Sequence, residues 1–205
     1  MLFSVKRRTT AALGVAAGLI LLAGVSRRLL GLTWTLDADG PTLFAAAATL
    51  GLIVLSDALV HVLLVAVGGS AYLETFGRLV EYYRGQPASA VVAGGVLAGA
   101  EELVFRGVVL AGLLQGARVP AWAAVLLAAL LFGLAHYLPD RRLRPVALWA
   151  VLEGTLLGVA YVVTGSLLVP VVSHALHDVA GFSFFALLRR RGYPRIGERS
   201  ELGVG

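Results

Sequence analysis

Six runs of apolar residues, each long enough to cross a lipid bilayer as a helix, dominate this 205-residue chain. A transmembrane helix needs about 20 mainly apolar residues. The chain is 59% hydrophobic and 14% charged, with a mean hydropathy of +0.87, and a soluble domain could not cover such an excess with polar surface. The sequence therefore predicts an all-α, polytopic membrane helix bundle of about six transmembrane helices, at residues 9–26, 41–68, 87–116, 119–138, 145–164 and 166–188.

The composition also narrows the chemistry and the partners. The chain has no cysteine, so a disulfide scaffold, a thiolate metal site and a cysteine nucleophile are excluded, and any metal would be held by histidines and carboxylates. The net charge of +5 comes from residues at the chain ends and in the short gaps between apolar runs. That placement is typical of a basic rim facing the membrane, so no nucleic-acid partner is expected.

Three segments follow from this pattern. Residues 1–86 hold two N-terminal spans and, at 71–85, apolar residues at helical spacing that predict an interfacial amphipathic helix. Residues 87–188 form the helix bundle that contains the candidate site, and residues 189–205 form a basic tail. The first run also fits a cleavable signal peptide, which would leave five spans.

The basic residues predict the orientation. If both termini share one side, Arg27, Arg28 and Arg118 lie on the other side and Arg106 lies inside a span. The remaining thirteen share the side of the termini: Lys6, Arg7, Arg8, Arg78, Arg84, Arg141, Arg142, Arg144, Arg189, Arg190, Arg191, Arg195 and Arg199. The positive-inside rule then places both termini in the cytoplasm. Since sixteen of the seventeen basic residues are arginine, we expect a prokaryotic cell membrane.

Titratable residues inside the spans indicate function, because charges there are expensive. Besides Arg106, five acids and all four histidines lie in predicted hydrocarbon: Asp57, Glu101, Glu102, Glu153, Asp178, His61, His136, His174 and His177. Asp57, His61, Glu153 and His177 have no assigned role; they either line a cavity or form hydrogen bonds between helices.

The remaining residues fall into ordered motifs. Glu102 and Arg106 are four residues apart and can pair on one helix face, whereas Glu101 points about 100° away and is available as a general base. The alternative is that Glu102 and Arg106 form a purely structural ion pair and that Glu101 is a carboxylate without a catalytic role. His136 ends the fourth span, and His174 shares a helix face with Asp178. Together these residues offer the parts needed to activate water or to hold a divalent ion.

The three motifs, Glu101-Glu102-x-x-x-Arg106, Phe132-x-x-x-His136 and His174-x-x-x-Asp178, resemble those of the CPBP (CAAX protease and bacteriocin-processing, or Abi) intramembrane endopeptidases, also called type II CAAX prenyl endopeptidase-like. The resemblance implies a membrane protease that cuts a peptide or protein substrate near the bilayer surface. By family role Glu101 activates water, Glu102 and Arg106 support it, and His136 and His174 bind the oxyanion or a metal. The expected cofactor is a divalent metal, with zinc favoured, on His136, His174 and Glu101.

At position 178 this chain has Asp, whereas the prenyl-processing members of the family typically have Asn at the corresponding position. An Asn amide donates a hydrogen bond to an oxyanion and an ionised Asp cannot. Asp178 must therefore stay protonated or orient a histidine or a metal.

Two other classes of protein remain open from the sequence. A small proton-coupled transporter would also contain buried carboxylates and histidines, although a proton relay would spread them along a path. A non-catalytic immunity or scaffold protein on the same fold is the other alternative, because fold does not fix function.

Overall fold

A computed structural model of the chain describes residues 2–67, 73–74, 76–78, 80, 86–138 and 144–188. The described residues form six long helices and contain no strand; a single isolated pair, Thr35 with Ser166, has β-type backbone bonding. The helices are α1 (Leu2–Leu30), α2 (Gly40–Ala66), α3 (Ala88–Val104), α4 (Ala121–Tyr137), α5 (Arg144–Thr164) and α6 (Leu168–Leu188). The predicted all-α helix bundle is confirmed.

The outer surface of the bundle is apolar. Leu21, Leu148 and Val163 are each more than two-thirds exposed, whereas Glu102 and Arg106 are fully buried. Among the described residues, four helical stretches are long and apolar enough to cross a membrane, Thr9–Leu30, Gly40–Ala66, Val146–Thr164 and Leu168–Leu187, and the apolar helix Ala121–Tyr137 is shorter. Apolar side chains outside and charges inside are the arrangement that a bilayer requires. The chain is an integral membrane protein.

The third predicted span is not a continuous α-helix. Its α-helical part ends at Val104, and the chain continues in wide π-helical turns at Phe105–Leu110 and Gly112–Gly116. The change begins three residues after Glu102 and includes Arg106. Short π-helical insertions often occur at functional sites, because the extra residue in the turn shifts the side chains that follow.

Helix α3 lies at the centre of the site, with α1 packed on one side of it and α6 on another; α4 packs against α5, and α2 contacts both α5 and α6. Glycine permits the closest of these approaches. A Cβ atom at Gly95 would lie 2.5 Å from Val179 Cγ2 and 2.9 Å from the Ala175 carbonyl oxygen on α6. At Gly133, on α4, it would lie 2.8 Å from the Ala147 carbonyl oxygen on α5. Small residues thus bring these helix backbones together, as is common in membranes.

The loop between α1 and α2 closes one end of the bundle. Its Thr35 carbonyl accepts a hydrogen bond from the Leu167 amide at 3.0 Å, and Gln115 Nε2 donates to the Thr33 carbonyl at 2.7 Å. Asp39 then caps α2 by accepting from the Thr42 amide at 2.8 Å, and its hydrogen bonds with Thr42 lower the pKa of Asp39. This loop ties α1 and α2 to the end of the π-helical segment and to the turn between α5 and α6.

The described residues of the predicted amphipathic segment, including Phe76, are helical. The Phe76 ring lies 5.1 Å from the ring of His61 and 5.4 Å from that of Phe185, so this segment contacts α2 and α6. Residues 139–143 and the predicted basic tail 189–205 lie outside the described residues.

Candidate active site

A cavity of about 170 Å³ lies at the end of the bundle where α1 and α3 begin and α4 ends, called the cavity end below. Glu101, His136 and Asp178 contribute its ionisable lining, each from a different helix, and Thr9 and Gln86 add uncharged polar groups. Small side chains and one aromatic ring form much of the rest, including those of Ala12, Ala90, Gly94 and Phe182. Three of the predicted site residues therefore share one cavity although they are up to 77 positions apart in the sequence.

Glu102, Arg106 and His174 lie behind that cavity, in the protein interior. Their exposed fractions are 0%, 1% and 3%. Glu102 Oε1 accepts from Arg106 NH1 at 2.7 Å and is 2.8 Å from His174 Nδ1. The predicted pairing of Glu102 with Arg106 is present, and the same carboxylate oxygen also fixes the His174 ring.

Arg106 has two further contacts. Its NH2 group donates to the Gly154 carbonyl on α5 at 2.8 Å, and its guanidinium carbon lies 4.8 Å from the centre of the Phe132 ring. A Cβ at Gly154 would approach Arg106 NH2 to 3.3 Å, so glycine leaves room for this contact. The guanidinium therefore connects α3, α4 and α5, and a buried cation with these partners is compensated.

The Phe132-x-x-x-His136 motif has a direct structural reason. His136 Nδ1 is 2.9 Å from the Phe132 carbonyl oxygen one turn earlier. A carbonyl can only accept, so Nδ1 holds the proton in this contact and Nε2 is the nitrogen left for other partners. The Phe132 ring packs edge-on against both His136 and His174, at centroid distances of 4.6 and 5.6 Å. Phe132 thus separates and orients the two histidines.

Asp178 links the cavity to a second polar cluster. Its Oδ1 lies 3.9 Å from His174 Nε2 and 3.4 Å from His177 Nδ1, and its side chain is 23% exposed. His177 Nδ1 is also 3.1 Å from Glu153 Oε1 on α5. On the opposite edge of the ring, His177 Nε2 lies 2.6 Å from Asp57 Oδ2 on α2.

This second cluster contains residues for which sequence reasoning found no role. Asp57 joins α2 to α5 and α6, because Trp149 Nε1 donates to its other oxygen, Oδ1. His61, four residues further along α2, packs against Phe76 instead. The signal that could have singled out Asp57, Glu153 and His177 was their charge inside apolar runs; the contacts between them could not be read from their spacing.

The metal expected on Glu101, His136 and His174 finds no prepared site in the part of the chain that the structure describes. There, no group of three or more histidine or acidic side chains is arranged to hold an ion. His174 Nδ1 is occupied by Glu102, and Glu101 and His136 face the cavity while His174 lies behind it. The metal therefore stays a prediction.

The fold and the site define a polytopic, all-helical membrane protein with acidic, basic and histidine side chains gathered around a small cavity. The family described as Type II CAAX prenyl endopeptidase Rce1-like matches residues 84–180. This segment resembles that family, and all six predicted site residues lie within it. Neither the curated proteins nor the solved structures give a significant match.

Proposed function

We propose that the protein is an intramembrane endopeptidase that hydrolyses a peptide bond near the membrane surface, with Glu101 as the general base. The observation that supports this most directly is the position of Glu101. It lines the same cavity as His136 and Asp178, whereas the carboxylate of the neighbouring Glu102 is already bonded to Arg106 and His174. A base must reach water and must not be held in an ion pair, and Glu101 meets both conditions.

The reaction follows from these positions. A water molecule in the cavity gives a proton to the Glu101 carboxylate while its oxygen attacks the carbonyl carbon of the substrate, and the carbonyl oxygen becomes negatively charged. Glu101 then passes that proton to the amide nitrogen as the C–N bond breaks, which yields a carboxylic acid and an amine. Donors placed at the carbonyl oxygen stabilise the negative charge in this step.

His136 is the cavity histidine in this mechanism. Because Nδ1 is bonded to the Phe132 carbonyl, Nε2 is available to the reacting groups. The neutral ring accepts a hydrogen bond from water there, and the imidazolium donates one to the carbonyl oxygen. A divalent metal, for which zinc is favoured, would use the same nitrogen together with His174 and Glu101, and would polarise the carbonyl when bound. None of the steps above depends on it.

Glu102, Arg106 and His174 act as positioning residues. They are buried behind the cavity and fix the last turn of α3 against α5 and α6. Site residues hold a productive geometry only when their own support is rigid. We infer that this network sets the direction of Glu101 relative to His136.

The substrate is a peptide or protein segment at the cytoplasmic surface of the membrane. The cavity opens among the start of α1, the start of α3 and the end of α4. The distribution of basic residues supports a location of these helix ends on the cytoplasmic side of a prokaryotic cell membrane. Cleavage requires that water and an extended substrate segment reach the cavity from that side.

The decisive experiment compares the membrane proteomes of cells that express the wild-type chain and Glu101→Gln. Chemical labelling of new N-termini should reveal cleavage products that depend on Glu101. Glu74→Gln is the matched control, because Glu74 pairs with Arg78 at an exposed position. Products that persist unchanged in Glu101→Gln would overturn the proposed function, whereas Glu74→Gln should leave them intact.

A further inference from the structure

The face of α3 that carries Glu101 consists largely of small residues. Gly94 and Ala98 lie seven and three positions before Glu101, so the three residues share one face of the helix, and all three line the cavity. Ala90, one turn before Gly94, and Ala12 on α1 add two more methyl groups to the lining. Backbone atoms and methyl groups therefore form most of the wall next to the proposed base.

An aromatic ring closes the space that these small residues leave. Phe182 lies one turn after Asp178 on α6, and both side chains line the cavity. A Cβ atom at Gly94 would lie 2.7 Å from Phe182 Cε2 and 2.9 Å from Phe182 Cδ2. The ring is therefore packed directly on the backbone of α3, where glycine leaves room for it. It fills the gap between α3 and α6 beside the cavity carboxyl groups.

The space that remains is small. The cavity volume is about 170 Å³. Pockets for drug-sized ligands measure about 300–1,000 Å³, and a cavity of about 150 Å³ in a protein core holds one benzene molecule. A peptide group and one small side chain therefore come close to filling the cavity beside Glu101.

The geometry of an extended peptide decides which substrate residue meets this limit. Successive side chains of an extended chain point to opposite sides of its backbone. Of the two residues that flank the cleaved bond, one side chain therefore points into the cavity and the other points away from it. The ring of Phe182 limits the size of the first and leaves the second unaffected.

We propose that Phe182, packed on Gly94, determines the specificity of the cavity, so that one of the two residues flanking the cleaved bond must be glycine, alanine or serine. This position is called the restricted position below. The inference rests on the proposed function, since it concerns the bonds that are cleaved with Glu101 as the base. Phe182 is a specificity-determining residue in this assignment and takes no part in proton transfer.

The identity of the cleaved bonds tests the proposal. New N-termini are labelled in membranes of cells that express the full chain, and only products absent from Glu101→Gln are counted. In the wild type, one flanking position should be confined to glycine, alanine and serine. In Phe182→Ala, the cavity extends into the space of the ring, so the same position should also contain leucine and phenylalanine. Phe184→Ala is the matched control, because the Phe184 ring is 53% exposed on the same helix, and it should keep the wild-type distribution.

Two quenched fluorescent peptides measure the size of the effect. They share the sequence of one wild-type cleavage site and differ at the restricted position, which is alanine in one and leucine in the other. The wild type should cleave the alanine peptide with a kcat/KM at least ~10-fold higher, as expected when a pocket discriminates by side-chain size. Phe182→Ala should bring the two values within about threefold of each other. Should Phe182→Ala fail to insert, Phe182→Leu should give an intermediate ratio.

Gly94→Ala tests the contact from the side of α3. The new methyl group would overlap the ring of Phe182, so the ring must move, and the preference between glycine and alanine at the restricted position should change. In the Phe182→Ala background the overlap is absent, so Gly94→Ala should change that preference by less than about twofold. An equal change in both backgrounds would show that the ring does not act through Gly94.

A labelling experiment tests the space without a substrate. The chain contains no cysteine, and Ala98, 2% exposed, lines the cavity, so Ala98→Cys reports on reagents that enter it. Methyl methanethiosulfonate should modify this cysteine with or without Phe182→Ala. The larger benzyl reagent should modify it rapidly only when Phe182→Ala is also present. Equal benzyl rates in both backgrounds, or no reaction with the methyl reagent, would overturn the role of the ring.

The two proposals can fail separately. Glu101-dependent cleavage with large residues on both sides of the bond in the wild type, or an unchanged distribution in Phe182→Ala, overturns the specificity and leaves the endopeptidase intact. A chain without Glu101-dependent cleavage refutes the endopeptidase. In that case the labelling of Ala98→Cys still decides whether Phe182 limits the space beside Glu101.

Discussion

Glu101 and Glu102 are adjacent in the chain but lie in opposite environments. Glu101 lines the cavity, whereas Glu102 is completely buried with its Oε1 2.7 Å from Arg106 NH1. Consecutive residues of a helix point about 100° apart, so one carboxylate can face water while the next faces the protein interior. The proposed general base, Glu101, is therefore next to a buried carboxylate, Glu102, whose bonds to the protein interior fix the position of the helix.

Substitution of each glutamate by glutamine should separate these roles. Glu101→Gln should reduce cleavage at least ~10²-fold, the lower range for loss of a general base, with little change in thermal stability. Glu102→Gln should destabilise the protein by on the order of 3 kcal/mol, because it leaves Arg106 buried without its ionised partner. Peptide cleavage and thermal unfolding in detergent measure the two effects. Wild-type cleavage by Glu101→Gln would rule out the mechanism.

Arg106→Ala should lower stability and activity together. Its guanidinium bonds to Glu102 and to the Gly154 carbonyl inside the bundle, and the loss of one partner from a buried pair costs about 3–5 kcal/mol. Arg78→Ala is the matched control, since Arg78 forms an ion pair with Glu74 at the same four-residue spacing but on the surface. That change should cost less than about 1 kcal/mol. Equal effects of the two substitutions in chemical denaturation would contradict the structural role of Arg106.

Local features of the fold and the site were predictable from the sequence. The apolar runs give the helices because the spacing between polar gaps matches the thickness of a bilayer. The pairing of Glu102 with Arg106 follows from a spacing of four residues on one helix. In both cases the physical determinant lies within a single element.

The contacts between distant elements were not predictable. Asp57 meets His177 across 120 positions, and nothing in the spacing of α2 indicates which face of α6 it touches. The change of α3 to π-helical turns at Phe105 was not predictable either, because no proline lies near that point in the sequence. Such features depend on how the helices pack together, which a periodic pattern does not specify.

Helix contact at Gly95 makes a third prediction. Gly95→Ala would place a methyl group 2.5 Å from Val179 Cγ2 and 2.9 Å from the Ala175 carbonyl oxygen, so α3 and α6 must separate. We expect a loss of about 1–3 kcal/mol, typical of overpacking. Gly18→Ala in α1 is the control, because no atom lies within 4 Å of the new methyl group and alanine favours the helix by up to about 1 kcal/mol. If the free energy of unfolding of Gly95→Ala, measured by thermal unfolding, equals that of the wild type, the contact between α3 and α6 at this point is loose.

The expected zinc ion leads to a fourth prediction. If His136, His174 and Glu101 hold a divalent ion, chelation should abolish proteolysis, zinc or cobalt should restore it, and elemental analysis should find about one metal per chain, as at a catalytic zinc site. His174→Ala should lose the metal. His61→Ala should retain it, because His61 packs against Phe76 away from the cavity residues. A fully active, metal-free preparation would contradict the metal and leave Glu101 as the base of a metal-independent glutamate protease.

The orientation of the cavity gives the last prediction. The absence of cysteine from the chain means that single cysteines can be introduced without a background signal. Leu138, 69% exposed, lies at the cavity end after α4, and Leu36, 48% exposed, lies in the loop that closes the opposite end. If the thirteen basic residues mark the cytoplasmic side, a membrane-impermeant maleimide should label Leu138→Cys in inside-out vesicles and Leu36→Cys in right-side-out vesicles. Reporter fusions at the C-terminus should also report the cytoplasm. The reverse labelling would place the cavity on the outer side of the membrane, where Glu101 could meet only exported substrates.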